Sequence, residues 1–192
     1  MPEQKRLSLA GIGCGSRTRT HEAGHGTKNR YRIAAAADPV KQRTEAVRDF
    51  APEEERDSVR LFKDAASLLA EPRLADVAII GTQDDYHYAP CRKAMELGYH
   101  VLLEKPIAKT LKEALELRIR RLLKRRVAVC HVLRYTQFYR TLKKIIDSGE
   151  IGEVITFNAN EGVGAALCPL LRARTLGQQQ NLHSHDRCQM LP

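Results

Sequence analysis

The chain has no apolar run near the ~20 residues that a membrane-spanning helix needs, so no membrane partner is expected. Its polar start, Met1 to Lys5, lacks the apolar core of a secretory signal, and a cytoplasmic location is the expectation. Cysteine is sparse: Cys14, Cys91, Cys130, Cys168 and Cys188 are odd in number and scattered, with no C-x-x-C pair. That pattern supports neither a disulfide framework nor a zinc site, and the five are expected to be free thiols. Tryptophan is absent and aromatic residues make up only 5% of the chain, which bears on how the net charge of +9 is read. Six of the nine surplus charges come from one acid-free stretch, Arg118, Arg120, Arg121, Lys124, Arg125 and Arg126. With no interleaved aromatics and no DNA-reading motif, this is a thin footprint for nucleic acid, and no nucleic-acid partner is expected.

What the chain does have is enough apolar residue, 43% of 192, for a real core in one large domain or one and a half small ones. Its organising stretch is Arg6 to Thr18, where Leu7, Leu9 and Ile12 suit a strand buried on both faces that runs directly into Gly13 and Gly15. Backbone N–H groups of the turn would then face a pyrophosphate. The pattern G-x-G-x-x-G is two-thirds filled, because Thr18 stands where the third glycine belongs; a glycine hairpin without a ligand is the alternative.

A second small apolar run, Ile33 to Ala37, ends on Asp38-Pro39 at about the 20-residue distance where a Rossmann unit places an acid on the ribose. Such an acid repels a 2′-phosphate and so favours NAD, while Lys41 and Arg43 keep NADP possible. Asp38 could equally cap a helix begun by Pro39, and the two roles are compatible.

Strand-like and helix-like segments then alternate. A first helix is expected over Ser16 to Lys28, although Thr18–Gly26 carries almost no apolar stripe; His21 and His25 lie one helical turn apart but have no third ligand, so no metal is assigned. Val40, Val47 and Phe50 predict a buried stripe on a second helix, Val59–Phe62 a short strand, and Asp64 the cap of a helix through Leu69. Val77 to Gly81 reads as a central strand that delivers Thr82 to His87 to its carboxyl end, the edge where open α/β sheets bind ligands. A helix to Leu97, with Cys91, Ala94 and Met95 on one face, stops at Gly98. The strand Tyr99–Leu103 ends on Glu104-Lys105-Pro106 at the same edge. Thr110 and Glu113 form a capping box for a helix striped by Leu111, Leu115, Ile119 and Leu122. Val127 to His131 is the sixth strand.

The order of these elements, from the glycine turn through Ala37-Asp38-Pro39, Thr82…His87 and Glu104-Lys105-Pro106 to Gly149-Glu-Ile-Gly152, resembles the Gfo/Idh/MocA family of NAD(P)-dependent oxidoreductases over about residues 6 to 163. The resemblance implies an α/β fold, a doubly wound parallel Rossmann sheet over 1–130, followed by only the start of a second α/β domain over 131–163. It implies NAD as cofactor, with Gly13, Gly15, Ser16, Arg17, Asp38, Thr82, His87 and Glu104 on the cofactor side. Lys105 is expected near the nicotinamide and the substrate hydroxyl, where a lysine can orient the carbinol and help remove its proton. Glu104 is expected to tune that lysine. The peptide before Pro106 is expected to be cis, as is common in the family. The substrate class implied is a sugar- or cyclitol-like alcohol; a nucleotide-binding fragment without turnover is the alternative. A homo-oligomer is family-like, but the sheet that would form it is missing.

Beyond the expected strand Val154–Asn160, residues 164–192 carry no strand or helix periodicity. Permissible codons for Val163 to Pro192, read one nucleotide later, spell a sequence similar to what such family members carry next. The tail is therefore expected to be a shifted reading frame and the chain a truncated family member.

Overall fold

The computed structural model describes residues 6–18, 30–120 and 126–160. The chain divides into two compact units, with the boundary after Arg140. In the first, six strands form one sheet: Leu7–Ile12 (β1), Tyr31–Ala37 (β2), Arg60–Phe62 (β3), Val77–Ile80 (β4), His100–Leu103 (β5) and Val127–Val129 (β6). Their order is β3-β2-β1-β4-β5-β6, and every neighbouring pair is parallel. This is the Rossmann order, in which the chain reverses direction across the sheet between β1 and β4.

The sequence dictates this placement because β1, β2 and β4 are apolar on both faces, as strands covered on two sides must be. Ile12 and Ile80 are fully buried, and Ala34 to Ala37 lie inside with them. Helices Ala65–Ala70 (α2), Tyr88–Glu96 (α3) and Leu111–Arg120 (α4) bring Leu68, Met95 and Leu117 to the larger core cluster. A smaller cluster gathers Cys14, Ile33 and Ala36 around Val47, which comes from the helical segment between β2 and β3. That segment begins as helix Lys41–Glu45 (α1) and tightens into a 3-10 turn, Ala46–Phe50. At the amino ends of the strands, the Asp76 carboxylate accepts from the Ser8 N–H (3.0 Å) and hydroxyl (2.8 Å), which pins β1 against the chain entering β4.

Local capping follows the sequence. The Ser67 N–H donates to Asp64 Oδ1 at 2.7 Å to open α2. Thr110 and Glu113 exchange bonds, each backbone N–H 3.2 Å from the other's side-chain oxygen, to open α4. Gly98 ends α3 with φ +88°.

Two packing expectations are corrected. Val40 does not join the buried stripe with Val47; it precedes α1 as its exposed N-cap residue. On α4, Leu111 and Leu115 are exposed and Leu117 is buried. The helix turns Leu117 into the core, and in this rotation Glu116 accepts from the Tyr88 hydroxyl of α3 and lies 3.8 Å from Arg92. The same bond raises the Tyr88 pKa above its ordinary value. Ile119's side chain, Leu122, the expected first helix beyond residue 18 and the tail 161–192 lie outside the described residues.

The unit boundary falls within helix Gln137–Ser148 (α5), which ends at Gly149 with φ +74°. The strand expected at Val154–Asn160 is not formed: residues 154–160 are exposed and have no ladder partner among the described residues. A lone strand has nothing to satisfy its backbone groups, so its sequence preference alone does not hold it extended in a sheet. Among the described residues, no helix is long and apolar enough to cross a membrane.

Candidate functional site

The carboxyl ends of the strands are held level by bonds from the first residue past one strand to the last residue of its neighbour. Gly13 N–H donates to the Ala37 carbonyl (2.8 Å), Gly81 N–H to Ile12 (2.9 Å), Glu104 N–H to Ile80 (2.9 Å) and Cys130 N–H to Leu103 (2.9 Å). Gly13, Asp38, Thr82, Glu104 and Lys105, widely separated in sequence, therefore meet along one edge, at the topological switch point.

At the end of β1, Gly13 has φ +80°, and a Cβ there would stand 2.7 Å from Thr82 N and 2.8 Å from Thr82 Cα. The turn thus passes too close to the loop after β4 for any side chain. Gly15 differs, since a Cβ built on it meets nothing within 4 Å. The space there is open and flanked by the exposed residues Ser16 and Arg17.

Thr18 explains its own departure from the glycine pattern. It is fully buried, and its hydroxyl donates to the Gly13 carbonyl at 2.6 Å, tying the turn to itself. The room that a third glycine would leave is provided across the edge by Gly81, where an added Cβ would lie 2.1 Å from Thr18 Oγ1.

Asp38, at the end of β2, is 4% exposed. Its Oδ2 accepts from Cys14 N–H (2.8 Å) and its Oδ1 from Val40 N–H (2.8 Å), with Arg43 Nη1 3.8 Å from Oδ2. The carboxylate therefore joins the glycine turn to the segment entering α1. A carboxylate has about four acceptor positions, so two backbone bonds leave capacity for a ribose hydroxyl.

Past β5, Glu104 is 6% exposed and its carboxylate receives the Lys105 N–H at 3.3 Å. Burial, helped by Glu104 beside it, pushes the Cys130 thiol up to about 11, while Arg17 acts in the opposite direction. The Cys130 thiol is hydrogen-bonded to the Glu104 carboxylate. Lys105 itself is exposed, and the Lys105-Pro106 peptide is cis. Thr82 donates its hydroxyl to the Tyr86 carbonyl at 2.9 Å. His87 is fully buried, with Nδ1 2.6 Å from the Pro106 carbonyl and Nε2 3.0 Å from the Thr82 carbonyl.

The edge thus brings together Gly13, Gly15, Ser16, Arg17, Asp38, Thr82, Glu104 and Lys105, with His87 buried behind it, while His21 and His25 lie outside the described residues. It adds Gly81, Thr18 and Cys130, whose parts depend on contacts through space that no spacing rule signals. Among the described residues, no group of three or more His, Cys, Asp or Glu side chains could hold a metal ion.

The comparisons agree with this geometry. Residues 7–133 match the family model of the Gfo/Idh/MocA oxidoreductases, described as an oxidoreductase family with an NAD-binding Rossmann fold. An inositol 2-dehydrogenase of Burkholderia multivorans is 30% identical over 169 residues, 82% of this chain and 47% of that protein. The uncharacterized oxidoreductase YdgJ of Escherichia coli is 32% identical over 54% of this chain and 30% of that protein. The crystal structure of myo-inositol dehydrogenase from Lactobacillus casei, in complex with NAD(H) and myo-inositol, has a TM-score of 0.66 and 28% identity. It covers 77% of this chain, which spans 43% of that one. The chain thus spans less than half the length of these proteins. With its six-stranded parallel sheet, its glycine turn and its acid at the end of β2, the chain belongs to the Gfo/Idh/MocA oxidoreductase family and carries that family's NAD-binding Rossmann domain.

Proposed function

We propose that this chain is the cofactor-binding part of a dehydrogenase that oxidises a cyclitol- or sugar-like alcohol with NAD. The observation that carries the reading is the convergence at one sheet edge of an open glycine cradle, a buried acid at the end of β2 and an exposed lysine past β5. The inositol dehydrogenases among its relatives favour the alcohol class.

Gly15, Ser16 and Arg17 would hold the pyrophosphate, and Asp38 the adenosine ribose through its remaining lone pairs. Thr82 and Glu104, on the loops that follow, would line the nicotinamide side. When bound, the nicotinamide supplies the hydride acceptor. Lys105 would orient the substrate hydroxyl and, as the neutral amine, take up its proton to become the ammonium, with Glu104 next to it in the chain tuning that lysine. NAD is favoured over NADP because Asp38 places a carboxylate where a 2′-phosphate would sit. Asp38 already binds two backbone N–H groups, so it cannot turn away to admit the phosphate without leaving them unpaired.

A second reading is cofactor binding without turnover by these 192 residues; it is supported by the absence of a strand at 154–160, where a substrate-bearing sheet was expected to begin. Titration of the chain with NADH, followed by a search for NAD-linked oxidation of myo-inositol and related polyols, separates the two. Binding with turnover supports the first reading, and binding alone supports the second. In whatever form turns over, Lys105→Met should lower turnover far more than NADH affinity. Absence of NADH binding would remove both readings.

A further inference from the structure

Lys105 lies between two fixed points. On one side Glu104 is bound through its N–H to the end of β4, and its carboxylate lies against Cys130. On the other, the Pro106 carbonyl is held by a side chain from a different loop: His87, immediately before α3, reaches it with Nδ1 at 2.6 Å and reaches back to Thr82 with Nε2 at 3.0 Å. Both partners are carbonyl oxygens, which only accept, and Nδ1 is the nearer of the two ring nitrogens to its partner, so the tie to Pro106 is made by a hydrogen on Nδ1. The ring is fully buried, and its own backbone is bound into α3 by the Cys91 N–H at 3.2 Å. The loop it comes from is closed in turn by the Thr82 hydroxyl on the Tyr86 carbonyl.

We infer that His87 is a positioning residue for Lys105, a buried tie that fastens the turn after β5 to the loop after β4 and so fixes where the lysine emerges. This assigns His87 to the support of the lysine and not to contact with the cofactor. The role of Lys105 rests on the function proposed above, but the tie exists in the free chain and is read there.

The two ring nitrogens can be tested separately. In His87→Asn the amide nitrogen can stand where Nδ1 stood, keeping a donor toward Pro106. In His87→Gln it can stand where Nε2 stood, keeping a donor toward Thr82. His87→Phe keeps neither. Amide hydrogen exchange in the free chain is the primary readout, with exchange at Lys105 and Ile107 compared with exchange in β1 and β2. The tie predicts that His87→Gln and His87→Phe speed exchange at Lys105 and Ile107 about tenfold, that His87→Asn restores protection there, and that β1 and β2 stay protected in all three.

NADH titration of the same variants should show affinity changed less than about threefold, since the His87 ring is fully buried and meets the Pro106 and Thr82 carbonyls, not Gly15, Ser16, Arg17 or Asp38; where turnover is measurable, kcat should fall with KM for NAD unchanged. If His87→Phe does not fold, the Asn and Gln pair still decides. Equal protection of Lys105 and Ile107 in those two, or equal loosening of the whole sheet, would show a plain core residue and overturn the inference. Failure of the wild-type chain to bind NADH would overturn the proposed function while leaving the exchange result standing.

Discussion

Thr18 and Gly81 are predicted to be energetically coupled, and a double-mutant cycle measures it. Thr18→Gly completes the glycine pattern on paper, yet it should destabilise the chain. It deletes the 2.6 Å bond to the Gly13 carbonyl, worth about 1 kcal/mol, and adds backbone freedom costing about 0.5–1 kcal/mol, for a total of about 1.5–2 kcal/mol. Gly81→Ala alone puts a methyl 2.1 Å from Thr18 Oγ1 and should cost about 1–3 kcal/mol as overpacking. In the double variant the obstructing side chain is gone, and the next contact of the new methyl, with the Gly13 carbonyl oxygen, is an ordinary 3.5 Å. The double variant should therefore be less damaged than the two single losses predict together, by at least about 1 kcal/mol. Urea unfolding followed by far-ultraviolet circular dichroism measures all four corners of the cycle. Losses that add to within about 0.5 kcal/mol would refute the idea that Gly81 provides the room Thr18 occupies.

Three further outcomes follow from the same geometry. Asp38→Ala should leave the Cys14 and Val40 N–H groups unpaired, lower stability by about 1–3 kcal/mol, and weaken NADH binding more than NADPH binding; equal losses for both nucleotides would remove the acid from cofactor discrimination. Asp64 has its pKa lowered by the Ser67 N–H, so its contribution is present at neutral pH and lost as pH falls through the folded value. The stability gap between wild type and Asp64→Ala should accordingly narrow in acid, and a constant gap would contradict the cap. Burial pushes the Cys91 thiol up to about 12, so the folded state disfavours its thiolate. Stability should decline as pH rises from about 9 toward 12, and less steeply in Cys91→Ala, with a slope unchanged by that substitution excluding this thiol as a source.

The sheet was legible because its central strands are buried on both faces, which leaves the short β-branched and alanine runs at 33–37 and 77–80 little other use. The loops at the carboxyl edge were legible as places, since a strand's end locates them, but not as contacts. Cys130 lies far along the chain from Glu104, and only the parallel pairing of β5 with β6 brings the thiol to the carboxylate. The same limit applied to α4, where the spacing of Leu111 and Leu115 describes a plausible stripe but the buried residue is Leu117. Helix α5 carries Phe138, Leu142, Ile145 and Ile146 at helical spacing, a signal present in the sequence that the motif around Gly149 and Gly152 overshadowed. At Val154–Asn160 the opposite held: strand-like residues stay out of a sheet because pairing, not propensity, makes a strand.

The claim at the centre of this account is that the space above Gly15 holds the cofactor's pyrophosphate. Gly15→Val tests it most directly, because the new side chain meets no neighbour within 4 Å of its Cβ and should leave the free fold undisturbed. The measurement is NADH binding by nicotinamide fluorescence, made alongside the thermal midpoint of each protein. Saturable binding by the wild-type chain and its loss in Gly15→Val at an unchanged midpoint are expected, whereas equal NADH affinity in the two proteins would contradict a pyrophosphate site above Gly15.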